Sequence, residues 1–173
     1  MPVLICLAGL PGVGKTTLAR RLAQERTAVF LRVDSVEAAM KNSTLRIRRA
    51  EDAGYLALVA LAKDNLGLGL DVVADTVNPA EITRQMWAEA AEAVGAQRID
   101  IEVICSDKAQ HRQRVEARKS DLKGGIVPDW QAVLDRAYAP WQSDRIIVDT
   151  STQSPSECAA LALREIAEQE RRG

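Results

Sequence analysis

Hydrophobic and polar positions along this chain follow two rhythms. Residues 3–8, Val-Leu-Ile-Cys-Leu-Ala, form an unbroken apolar run, the pattern of a strand buried on both faces. Shorter runs at 28–33, 71–75 and 145–150 read as strands too. A further strand over 99–105 alternates Ile99, Ile101 and Val103 with Asp100 and Glu102, which predicts one face less buried than in the first strand. Between these runs the spacing becomes helical. The stretch 17–23 reads as a helix. Tyr55, Val59, Ala62 and Leu66 predict a second over 49–66, stopped by Gly67 and Gly69. Ile82, Met86, Ala90 and Val94 make one apolar stripe on a helix that Gly95 ends. Cys158, Leu161, Ala162 and Ile166 face inward on the last helix.

Helix starts are signalled by capping residues. Asn78 as cap, Pro79 in the first position and Glu81 completing a capping box open the helix after the third strand. Ser154-Pro155-Ser156-Glu157 opens the last one in the same way, and Ser106 or Asp107 caps the helix after the fourth strand. Asp129-Trp130 begins a helix expected to reach Tyr138, before Pro140-Trp141 breaks it. Trp130 and Trp141 read as packing anchors. The tail, residues 170–173, is expected to fray.

Between the first strand and first helix lies Gly9-Leu10-Pro11-Gly12-Val13-Gly14-Lys15-Thr16-Thr17. It fits the phosphate-binding pattern G-x-x-x-x-G-K-[ST] at every fixed position, and strand, loop and helix stand in the order the motif requires. The three glycines open backbone conformations closed to residues with a Cβ, so the loop's N–H groups can converge on a polyphosphate. Lys15 adds a point charge for the β- and γ-phosphates, and Thr16 a hydroxyl for Mg²⁺. The following helix adds its positive end. The expected nucleotide contacts are Gly9, Gly12, Val13, Gly14, Lys15, Thr16 and Thr17.

Composition narrows the partners. The chain has 173 residues, 47% hydrophobic and 27% charged, with a net charge of −1. That size predicts one domain over 1–173 with its own core. The charge balance leaves no global basic footprint for nucleic acid. Aromatics at 3% make stacking platforms scarce. Cys6, Cys105 and Cys158 form no C-x-x-C and no Cys/His cluster, which fits a reducing compartment and argues against a thiol metal site. No leader-like start and no membrane-length apolar run is present, so the expected location is cytoplasmic, with no membrane partner.

Several charged residues fall where an α/β sheet gathers its ligands, at the carboxyl ends of strands. Asp34 follows the second strand; it fits either a group that orients and deprotonates a substrate hydroxyl or a simple helix cap. Asp75 ends the third strand, placed to help hold Mg²⁺ through water or to bond substrate. Residues 41–49 carry Lys41, Arg46, Arg48 and Arg49 with no acid, which suits an anionic substrate or a solvated face. Arg84 reads as either an active-site or a surface residue, the surface being favoured. The helix after the fourth strand is cationic, with Arg112, Arg114, Arg118 and Lys119, and runs into a loop with a Gly pair and Pro128. That is the pattern of a mobile lid with basic side chains suited to a transferring phosphoryl group. His111, the one histidine, reads as a surface residue.

With these residues placed, the whole chain resembles a small P-loop kinase of the adenylate-kinase-like group. The resemblance implies a three-layer α/β fold: a five-stranded parallel sheet in order 2-3-1-4-5, helices on both faces, an acceptor lobe over 35–68 and an Arg-bearing lid over 119–129. The pattern is similar to the 5′-kinase domain of phage polynucleotide kinase in Asp34, in the run Asp75-Thr76-Val77-Asn78-Pro79, in Arg84 and Trp87 on the next helix, and in Arg114 and Arg118. It departs from that kinase at Glu37, where an Arg holds the substrate's 3′-phosphate. Chloramphenicol, gluconate and adenylyl-sulfate kinases share the layout. The resemblance implies ATP and Mg²⁺ as cofactors, Asp34 as base, Arg118 and Arg114 as lid arginines, and adenine near 150–153, including Thr150. The implied activity moves the γ-phosphoryl of ATP to a hydroxyl of a small molecule, neutral or anionic, in a monomer or homodimer. A nucleoside monophosphate or polynucleotide 5′-kinase is the alternative enzyme. A nucleotide-dependent switch with slow ATP hydrolysis is the alternative of another class.

Overall fold

The computed structural model describes every residue except Leu45, Arg46, Arg48, Gly124, Ile126 and Gly173. Among the described residues, β1 (Val3–Ala8), β2 (Val29–Arg32), β3 (Val72–Asp75), β4 (Gln97–Ile104) and β5 (Ile146–Asp149) form one parallel sheet in the order β2-β3-β1-β4-β5. The helices are α1 (Lys15–Arg26), α2 (Val33–Asn42), α3 (Ala53–Gly67), α4 (Glu81–Ala93), α5 (Lys108–Ala117), α6 (Trp130–Leu134) and α7 (Pro155–Glu170). This is the α/β fold of P-loop NTPases, with the expected strand order. No helix among the described residues is long and apolar enough to cross a membrane.

The unbroken apolar run of β1 makes it the central strand. Ile5 and Leu7 join one apolar layer with Leu18 and Leu22 of α1 and Ile166 of α7. Leu4 and Cys6 join the other with Leu58 and Leu66 of α3 and Trp87 of α4. Each large side chain so buried contributes about 1.5–3 kcal/mol. β4 differs from the expectation. Ile99, Ile101 and Val103 face the first layer, but Asp100 and Glu102 are buried as well, at 6% and 8% exposure. They are covered because each is paired: Asp100 with Arg98 at 2.8 Å, Glu102 with Arg145 at 2.6 Å. Alternation here marks a polar interior, since paired charges can be buried.

Several local expectations are corrected by tertiary contacts. The second strand stops at Arg32 and α2 begins at once, so Asp34 lies in the first turn of a helix and not at a strand end. Asn78 does not cap α4; it takes φ 46°, donates from Nδ2 to the Leu7 carbonyl and accepts from the Trp87 indole, while Ala80 precedes the helix. The inward face of α4 is Arg84, Trp87, Ala90 and Ala91, leaving Ile82 71% exposed. α6 ends at Leu134, because the chain beyond it is drawn to α4: the Ala139 N–H donates to the Pro79 carbonyl at 2.7 Å. At the other end, Glu170 still belongs to α7. Arg26 grips it, and Asp71 as well, at 2.6 Å each. The capping box of α7 forms as its residues predict.

Candidate active site

The loop after β1 is shaped by its glycines and held from behind. Gly9 has φ +133°, and a Cβ there would stand 2.2 Å from the Val103 carbonyl oxygen. Gly12 has φ +86°, and its Cβ would stand 2.5 Å from Val115 Cγ2. Both positions therefore exclude every side chain. Three residues outside the motif fasten the loop. The Gly9 N–H donates to the Val77 carbonyl at 3.1 Å, Thr150 Oγ1 to the Val13 carbonyl at 2.8 Å, and His111 Nε2 to the Pro11 carbonyl at 2.8 Å. α1 starts at Lys15 with no side-chain cap, so the N–H groups of its first turn have no carbonyl one turn back. A loop of backbone donors ending on a helix N-terminus suits a polyphosphate.

The loop opens on a cleft of about 710 Å³ that also receives Thr16, Thr17, Asp34, Asp75, Arg114 and Arg118. Lys15 is buried, and burial pulls its ammonium down to about 8, against the opposing pull of the Asp75 and Asp34 carboxylates. Its Nζ donates to its own loop's Leu10 carbonyl at 2.9 Å. Burial pushes the Asp75 carboxyl up, against Lys15 and the Thr16 hydroxyl. Asp75 is 4% exposed and its Oδ2 has no hydrogen-bond partner among the described residues. A buried carboxylate oxygen without a hydrogen bond, beside a lysine, a threonine hydroxyl and Arg32 at 3.8 Å, fits a divalent cation that keeps part of its water shell.

The two arginines expected to act together both line the cleft but make different contacts. Arg118 sits at the end of α5 with its guanidinium 3.8 Å from Asp34 Oδ2. Arg114 donates to Thr150, at 2.7 Å to the hydroxyl and 2.9 Å to the carbonyl. Thr150 thus lies behind the loop and joins Arg114 to it, and Gly9 and Val13 also lie behind the cleft rather than on its wall. Arg49 is exposed and does not line the cleft. Arg46 and Arg48 lie outside the described residues.

Two residues read as surface groups are buried. Arg84 is 1% exposed: it donates to the carbonyls of Asn78, Ala139 and Pro140, and Trp141 stacks on it at 4.0 Å. His111 is 6% exposed, clamped between Pro11 and the Trp130 ring at 5.1 Å. Among the cleft residues that the sequence pattern does not single out are Arg32, Glu51, Asp121 and Arg136. Arg32 ends β2 opposite Asp75, and its signal was a lone cation inside an apolar strand run. Arg136 follows α6 and carries no local signal at all.

Among solved structures, the chain is similar to Kti12 from Chaetomium thermophilum in complex with ADP-AlF3, at 18% identity and TM-score 0.72, over 95% of this chain and 97% of that one. It is similar to a gluconokinase from Sinorhizobium meliloti 1021, at 18% identity and TM-score 0.69, over 99% and 95%. The Mycobacterium tuberculosis APS kinase CysC, in complex with AMPPNP and APS, is similar at 14% identity and TM-score 0.69, over 96% and 98%. At these identities the likeness is one of fold. A search of curated protein sequences found no match. The family model described as AAA domain matches residues 4–137. With its glycine-shaped loop, Lys15 and strand order, the chain belongs to the AAA domain family and has the fold of the small P-loop kinases.

Proposed function

We propose that this protein is an ATP- and Mg²⁺-dependent phosphotransferase acting on a hydroxyl of a small molecule. One observation carries the reading. The phosphate loop, a helix-borne carboxylate (Asp34) and an arginine 3.8 Å from that carboxylate (Arg118) line a single cleft. In this reading the loop, Lys15, Thr16 and Thr17 hold the nucleotide phosphates. Thr16 and Asp75 hold the metal, which supplies charge neutralisation on the phosphates. Asp34 orients the acceptor hydroxyl and takes its proton at a carboxylate oxygen. Arg118 places positive charge where the transferring group becomes negative, and its loss costs about 10³-fold or more in rate. Arg114 supports the loop and the base-side edge through Thr150. Residues 35–68 are the acceptor lobe and 119–129 the lid that excludes water.

The described acceptor side of the cleft carries both signs: Asp34, Glu37 and Glu51 stand with Lys41 and Arg136. The test is ADP release from ATP and Mg²⁺ with pooled nucleosides, nucleotides, oligonucleotides, sugars and amino sugars, beside an Asp34→Asn control. Release that rises with one pool and drops at least about 10²-fold in the variant supports the reading. Slow release, indifferent to every pool and to the variant, overturns it in favour of a nucleotide-dependent switch.

A further inference from the structure

Arg32 is the most contested side chain in the molecule. Its side chain is 4% exposed and faces three carboxylates at once. Both nitrogens of its fork are on Asp121, at 2.8 and 3.0 Å. Asp34 Oδ2 is 3.5 Å away, and Asp75 Oδ2 is 3.8 Å from Nε. Neither Arg32 Nε nor Asp75 Oδ2 makes a hydrogen bond among the described residues. A guanidinium fork serves one carboxylate bidentately at a time. The three acids therefore compete, and Asp121 holds the fork.

The competitors differ in where they are anchored. Asp34 and Asp75 belong to α2 and β3, fixed to the sheet. Asp121 belongs to residues 119–123 of the proposed lid, which reach across the cleft through Asp121 to Arg20 and Arg32 and through the Lys123 carbonyl to Asn42. When that segment withdraws, Asp121 leaves with it. A guanidinium this deeply buried does not remain unpaired. Asp34 is the nearer of the two carboxylates left.

We propose that Arg32 is a positioning residue whose partner is exchanged by the lid. With the lid shut, Asp121 takes the fork and leaves Asp34 for the acceptor hydroxyl. With the lid open, Arg32 closes its present 3.5 Å gap to Asp34, takes it with both fork nitrogens and occupies the oxygens that would otherwise accept a proton from water. The base is thus available only when the cleft is closed, which protects bound ATP from hydrolysis. This rests on the reading of Asp34 as the acceptor's base. The other charges facing Asp34 are Arg118 from the end of α5, Lys15 from α1, Asp75 from β3 and Glu37 within α2, and none of them changes in the comparison below.

The test is the Asp121→Ala variant, an exposed-loop change that leaves the sheet untouched. Its crystal structure without ligand is expected to show the Arg32 fork within about 3 Å of Asp34. Basal ADP release from ATP and Mg²⁺, with no acceptor, is expected to fall about tenfold, since a carboxylate gripped by arginine is a weaker base. The double variant Arg32→Met/Asp121→Ala is expected to recover most of the parent rate. An Arg32 fork that stays 3.5 Å or more from Asp34, as it stands now, or a double variant as slow as the single one, overturns the proposal. A merely structural latch would give the latter. If basal release is too slow to follow, the crystal structure decides alone. Neither measurement uses an acceptor, so a failed acceptor search leaves the result standing.

Discussion

At the scale of single residues, the charges that matter here are the buried ones, and each is explained by its neighbours. Asp100 is the clearest outside the cleft. Burial pushes its carboxyl from 3.8 up to about 6, against the pull of Arg98 and Arg84. The folded protein thus binds more protons at this site than the unfolded chain between those two values. Its contribution to stability is greatest below 3.8 and declines as pH rises through about 6. Asp100→Asn removes that decline. Urea unfolding at pH 4 and at pH 7 should show the parent losing stability relative to the variant on going to the higher pH. An unchanged difference would mean that Asp100 titrates alike in the folded and unfolded chain. Local pattern showed Asp100 only as the polar half of an alternating strand; its burial is decided by Arg98, beside which it folds.

At the scale of elements, the sequence is most legible where an element is stabilised by its own residues. The capping box at Ser154 and Glu157 closes as its spacing requires, and the Asp107 cap of α5 forms from its own side chain. Expectations fail where a distant group competes for the same atoms. Asn78 has the right chemistry to cap α4, but Leu7 and Trp87 bond it instead. The helix predicted to reach Tyr138 is cut short because Arg84 binds the carbonyls of Ala139 and Pro140. Removing Arg84 leaves those carbonyls and the Trp141 face uncovered. Arg84→Ala is expected to cost about 3–5 kcal/mol, read as a lower denaturant midpoint, with Trp141 fluorescence shifting to the red. A loss under about 1 kcal/mol would place the 138–141 segment outside the cooperative unit.

At the scale of the whole molecule, the chain is tied together by residues far apart in sequence. Arg26, at the end of α1, holds Asp71 before β3 and Glu170 at the end of α7. All three side chains are partly buried, between 18% and 29% exposed. Arg26→Met should lower unfolding free energy by about 2 kcal/mol with an unchanged denaturant slope, the expectation for charged hydrogen bonds lost from an otherwise intact native state. A changed slope would instead mean that the C-terminal end of α7 had already come loose in the native state.

The phosphate loop and the parallel strand pattern are properties of the sequence by itself. Glycine spacing and a run of apolar residues act locally, through backbone sterics and burial, so they survive any change of context. The same holds for Lys15 and Thr16, whose places follow from the loop. What only the tertiary structure decided is which charges face one another. Strand order brings Arg32 beside Asp75, and a segment almost ninety residues later brings Asp121 to Arg32. His111 and Thr150 reach the loop from α5 and from the end of β5. Pairings of this kind depend on the distance between side chains in space, and a one-dimensional pattern of apolar and polar residues carries no measure of that distance.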